Sequence, residues 1–113
     1  MVTIENKKFT IQVDAINEKN ESIIFPLEIN YGKLIMDCSD KASNPQTGFT
    51  TEDIRRITKV EKVINTYKDK EQIKMEDADF ELVKERVSKM TWKFRKIEFV
   101  EFVDYIKSLK PDA

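Results

Sequence analysis

Histidine is missing from this chain altogether, and cysteine, glycine and proline are scarce, at 1, 2 and 3 residues. Without imidazole there is no Ser-His-Asp or Cys-His nucleophile system, no histidine metal ligand and no histidine proton shuttle. Cys38 has no second thiol with which to close a disulfide, and one thiol does not make a zinc site, so a reducing, intracellular setting is expected. Gly32 and Gly48 are too few and too far apart for a phosphate-cradling loop. Neither sign of charge prevails: 20 Lys and Arg oppose 21 Asp and Glu, a net of -1, so no overall field gathers nucleic acid or an anionic membrane. Long apolar runs are lacking too. None approaches the roughly 18 residues that span a bilayer, and polar Glu5, Asn6, Lys7 and Lys8 follow Met1 closely, so neither a signal peptide nor a membrane anchor is expected. Together these absences argue against an enzyme and against a bound cofactor or metal.

What is present is 113 residues, 36% charged and 40% hydrophobic, which suits one domain over 1–113. Val2, Ile4, Phe9, Ile11 and Val13 lie mostly two apart, the period of a strand, and Asn17 to Asn20 supply a polar turn. The β-branched and aromatic run 22–29 pairs with that first strand as a hairpin, and Pro26 pushes it towards a sheet edge. Residues 30–38 admit two readings. Leu34, Met36 and Cys38 alternate as in a strand, whereas Tyr31, Leu34, Ile35 and Cys38 make a helical stripe with Asn30 as N-cap, which is the reading adopted. Ser39 to Gly48 is aperiodic and rich in turn residues, hence a loop.

Thr50 and Thr51 offer a capping hydroxyl for a second helix whose stripe is Ile54, Ile57, Val60, Ile64 and Tyr67, with Glu52 and Asp53 in the first turn, where they suit the dipole. Gln72 to Met75 is a short strand. Glu76 or Asp77 then opens a third helix, with Phe80, Val83, Val87 and Met90 on the one face it is expected to bury. Thr91 to Lys96 is a brief extended link. Ile97 to Leu109 forms a final helix with a narrow polar stripe of Glu98, Glu101, Asp104, Lys107 and Lys110. The rest of that helix is apolar, so it must be buried on more than one side, and Phe99, Phe102, Tyr105 and Ile106 are the expected surface for a partner. The fold class is therefore α+β, an N-terminal hairpin or small sheet on three to four helices.

Clusters of chemical groups are few. Glu76, Asp77 and Asp79 lack the Gly and the twelfth-position Glu of a calcium loop and read as acids at a helix start. Arg55, Arg56, Lys59 and Lys62 read as a solvated helix face. Cys38, on an apolar stripe, reads as a small buried hydrophobe. Lys89, Lys93, Arg95 and Lys96 surround Trp92 and Phe94, a pattern of bases and aromatics that can hold single-stranded nucleic acid. Core packing competes for those aromatics, and the balanced charge disfavours nucleic acid as a partner.

The order of segments carries a resemblance. NPQTG at 44–48, TTEDIRRITKVEKVI at 50–64, IKMEDADFELVKERVSKMTW at 73–92 and IEFVEFVDYI at 97–106 resemble a group of small tailed-bacteriophage proteins. Those proteins run from an NPxxG loop through a helix opening with acids and Arg to an LEDADY/F segment and a final aromatic and acidic helix. Met75 stands where Leu is usual. The resemblance implies a phage origin and no catalytic residues. The function expected from all this is a non-catalytic phage protein acting through protein–protein contacts, as a virion assembly factor or minor virion component. Inhibition of a host defence or transcription protein and single-strand binding through 89–96 are the alternatives. The expected partner is a phage structural protein, a host protein or a second copy, and the expected place is the host cytoplasm or the virion.

Overall fold

The computed structural model describes residues 1–41, 48–92 and 94–111. In chain order its elements are β1 (Val2–Glu5), β2 (Lys8–Ile16), β3 (Ser22–Asn30), α1 (Tyr31–Lys41), α2 (Thr51–Tyr67), β4 (Gln72–Met75), α3 (Asp77–Lys89) and α4 (Ile97–Ser108). The class is α+β, with two separate antiparallel pairs, β1 with β4 and β2 with β3.

The stretch 2–13, expected as one strand of a hairpin, is divided. Val2 to Glu5 pair with Met75 to Gln72, and only from Lys8 onward does the chain pair with β3. The division falls at Asn6, a buried side chain that acts as a local staple. Its Nδ2 donates to the carbonyls of Lys68 and Lys70 at 3.4 and 3.2 Å, while its Oδ1 accepts from Gly32 N at 2.9 Å. Its own N–H donates to Glu71 O at 2.8 Å. Strand break, α2–β4 turn and the first turn of α1 are thus tied through one amide. Gly32 suits this spot because a Cβ there would lie 3.3 Å from Asn6 Oδ1.

At the hairpin turn, Asn17 Oδ1 accepts from the N–H groups of Lys19 and Glu21, and Asn20 takes the left-handed conformation at φ 60° that asparagine tolerates. At the other end β3 runs straight into α1, whose first turn is capped by Asn30 Oδ1 accepting from Lys33 N at 2.8 Å. The helical reading of 30–38 is the one realised. The loop expected from Ser39 begins later, because α1 continues through Lys41, with Ser39 buried and its hydroxyl donating to Ile35 O at 2.9 Å. The rest of that loop as far as residue 47 lies outside the described residues.

In α2, Thr50 Oγ1 accepts from Asp53 N at 3.0 Å, and Ile57, Val60 and Ile64 are buried, but Ile54 at the stripe's start is 54% exposed. In α3 the burial is wider than the single expected face, since Asp79, Leu82 and Arg86 join Phe80, Val83 and Val87. In α4, Phe99, Phe102 and Ile106 are buried, Val103, Tyr105 and Leu109 are half-buried, and Ile97 and Val100 lie open. The core is one cluster drawing Val2, Ile4, Ile73 and Met75 from β1 and β4 together with the inner faces of all four helices. The molecule measures 51 × 34 × 23 Å with a radius of gyration of 15.3 Å, against about 13 Å for a compact chain of this length. Around the hairpin turn every residue from 18 to 26 is exposed.

Candidate interaction surface

Strand alternation sorts the hairpin into two unlike faces. Facing pairs Phe9–Ile29, Ile11–Leu27, Val13–Phe25 and Ala15–Ile23 make one face wholly apolar, while Lys8–Asn30, Thr10–Glu28, Gln12–Pro26 and Asp14–Ile24 make the other mostly polar. The apolar face is covered only along its inner part. Ile11, Val13 and Ile29 are buried, whereas Phe25 and Ile23, next outward on β3, are 38% and 39% exposed.

Where the covered part ends, a pocket of about 120 Å³ opens. Leu27 and Ile29 line it from the hairpin, Leu34 from α1, Met90 from the end of α3, Trp92 and Phe94 from the link, and Phe99 from α4, with Lys33 and Asp37 also on its wall. Trp92 is fixed there by stacking on Phe99, at 4.6 Å between ring centres and 8° between planes, and by an edge contact to Phe102 at 6.2 Å. Phe102 in turn meets Tyr31 at 4.9 Å, and Tyr31 meets Phe9 at 6.0 Å. A chain of rings therefore runs from the hairpin through α1 and α4 to the link.

That ring chain decides where the expected site residues lie. Phe99, Phe102 and Ile106 are in the core at 5%, 0% and 0% exposure. Tyr105 is half-buried and its hydroxyl accepts from Glu5 N at 2.8 Å. The α4 face expected to await a partner is thus occupied by the chain itself, and the apolar groups α4 leaves open are Ile97 and Val100. In the basic and aromatic segment, Trp92 has one ring face closed by Phe99. Lys89 pairs with Glu85 at 3.3 Å, Arg95 is exposed and Lys96 half-buried. Lys93 lies outside the described residues.

Glu76, Asp77 and Asp79 each meet a cation. Asp77 pairs with the Met1 ammonium at 2.8 Å, and Lys59 bridges Glu76 at 3.1 Å and Asp79 at 3.5 Å. The hydrogen bond to Glu76 and then the charge of Asp79 raise the Lys59 pKa. Glu76, although at the N-cap position, makes no side-chain cap bond. Arg86, buried on the same helix, pairs with Asp53 of α2 at 3.4 Å. Among the described residues no three Cys, Asp or Glu groups come together as a metal site, and no helix is long and apolar enough to cross a membrane. Cys38 is fully buried, and its thiol is pushed up to about 12, first by burial and then by the Asp37 charge.

Sequence reasoning missed two things. Asn6 was read only as part of a polar stretch, since nothing local marks a side chain that will bond to residues far along the chain. Ile23 and Phe25 fall in the β-branched and aromatic run 22–29, whose composition marks a strand and not which of its residues are covered. No protein-family model, curated protein or solved structure matches this chain.

Proposed function

We propose that this is a non-catalytic bacteriophage protein that works by docking a partner protein, as an assembly factor or a minor component of the virion. The observation that carries the docking reading is the apolar face of the hairpin, which passes from Leu27 and Ile29 in the pocket wall to Phe25 and Ile23, left 38% and 39% exposed at its outer part. A folded monomer gains nothing from an amphipathic ribbon extended beyond its own core, whereas a partner that covers Phe25 and Ile23 and places an apolar side chain in the pocket buries surface on both sides. The phage setting rests on the segment order at 44–106.

The test is tagged capture from infected and uninfected host cells, read by mass spectrometry, with the Ile23→Ser/Phe25→Ser double variant beside the unaltered protein. Capsid, portal or tail proteins should be recovered from infected cells by the unaltered protein and lost with the variant, whose circular dichroism should be unchanged. Recovery of a host protein alone, with or without infection, would replace this reading with host inhibition.

A further inference from the structure

The two outer edges of the hairpin are not equivalent. Asn17 N donates to Glu21 O and Tyr31 N donates to Lys7 O, both at 3.0 Å. These bonds sit at opposite ends of one register, in which 17 faces 21 and 7 faces 31, and they set the phase of the ladder between. Odd-numbered residues of β2 bond across to β3, and the N–H and C=O groups of Lys8, Thr10, Gln12 and Asp14 point away from it. On β3 the outward residues are Ser22, Ile24, Pro26 and Glu28, so the missing N–H of Pro26 falls in the middle of that edge and spoils it as a template. The β2 edge has no such block. Among the described residues no other strand lies against it, and Lys8, Thr10, Gln12 and Asp14 are all exposed.

We propose that the β2 edge pairs antiparallel with the β2 edge of a second copy of this chain, making a four-stranded sheet across a two-fold axis beside Ile11. Charge selects both the occupant and the register. Of the antiparallel registers open to the outward groups, the one centred on residue 11 sets Lys8 opposite Asp14 of the second copy, and Asp14 opposite its Lys8, with Thr10 facing Gln12 in between. Every outward N–H and C=O from Lys8 to Asp14 then has a partner. Among the described residues neither Lys8 nor Asp14 takes part in an ion pair within the chain, so both charges are at the disposal of the second copy. The contact goes beyond the docking reading, because it uses the edge of the hairpin and leaves the apolar face and pocket free. It is small, so the dimer is weak and dependent on concentration.

Sedimentation equilibrium over a concentration series of the full chain tests it. The unaltered protein should pass from monomer to dimer. Lys8→Asp and Asp14→Lys should each weaken the dimer by tenfold or more, and the Lys8→Asp/Asp14→Lys exchange should restore it, because the exchange rebuilds both cross-copy pairs. Thr10→Pro removes one outward donor at a ladder position of the kind Pro26 already occupies, and should yield a monomer with unchanged circular dichroism. A protein that stays monomeric throughout, a dimer that survives Thr10→Pro, or folded single charge variants without rescue in the exchange would each overturn the proposal.

Discussion

Asn6 connects three segments that are remote in sequence, and its chemistry shows why the position needs an amide. An amide donates and accepts at once: Nδ2 serves the carbonyls of Lys68 and Lys70, and Oδ1 serves Gly32 N. Replacing it leaves the buried Gly32 N–H without a partner, at a cost of about 1–3 kcal/mol, and releases two part-buried carbonyls. Asn6→Ala should therefore lower stability by about 2–4 kcal/mol in urea unfolding, and Asn6→Asp should also destabilise, because a carboxylate cannot donate. Cys38 and Tyr31 set the response to alkali. Burial first, then Asp37, raises the thiol to about 12 from an ordinary 9.0. Burial first, then Glu101 and Glu5, raises the phenol above its ordinary 10.0. Both are neutral acids in the folded state, and the unfolded chain releases their protons earlier, so the folded state binds more protons in that window. The sign is loss of stability as pH rises, beginning near 9 for Cys38 and continuing towards 12. Urea midpoints measured across this range should fall, and Cys38→Ala, less stable at neutral pH, should show the shallower decline.

At the scale of elements, α4 and the link that precedes it are joined through their rings. The aromatic-rich helix turns Phe99, Phe102 and Ile106 into the core, and the link supplies Trp92 as the plate that closes over Phe99. Trp92→Ala should cost about 2–3 kcal/mol, less than a fully buried tryptophan because the ring is half-exposed. Thermal unfolding measures this. If Trp92→Ala proves neutral for stability, the stacking on Phe99 is not holding the link. In α3, the pairs Asp79–Lys59 and Arg86–Asp53 add a charged seam to α2 beside the apolar one. Such pairs fix which faces meet more than they add to stability, since removing their charges from water offsets much of the attraction.

Across the whole molecule, what was legible followed local periodicity, and what was not depended on distant neighbours. A threonine cap at 50 or 51, β4 over Gln72–Met75, the turn at Asn17 and helices near their expected limits all follow from spacing and turn chemistry within a few residues. The partner of β1 does not. Val2 and Ile4 have the same alternation as Ile11 and Val13, and only the packing of α2 and β4 decides that the first pair belongs to another sheet. Of the candidate site, residue type marks Trp92 as an aromatic for which packing and nucleic acid compete, and the width of the α4 apolar surface foretells burial on more than one side, but neither says which rings meet.

The pairing of β1 with β4 also bears on the order of events during synthesis. Val2 and Ile4, both fully buried, leave the ribosome well before the strand that receives them, which follows α2. The hairpin and α1 are contiguous and can form as they emerge, while β1 waits as an apolar, unpaired segment until β4 appears. A strand made before the hairpin is therefore secured after it, and the newborn chain is most open to wrong pairing over that interval.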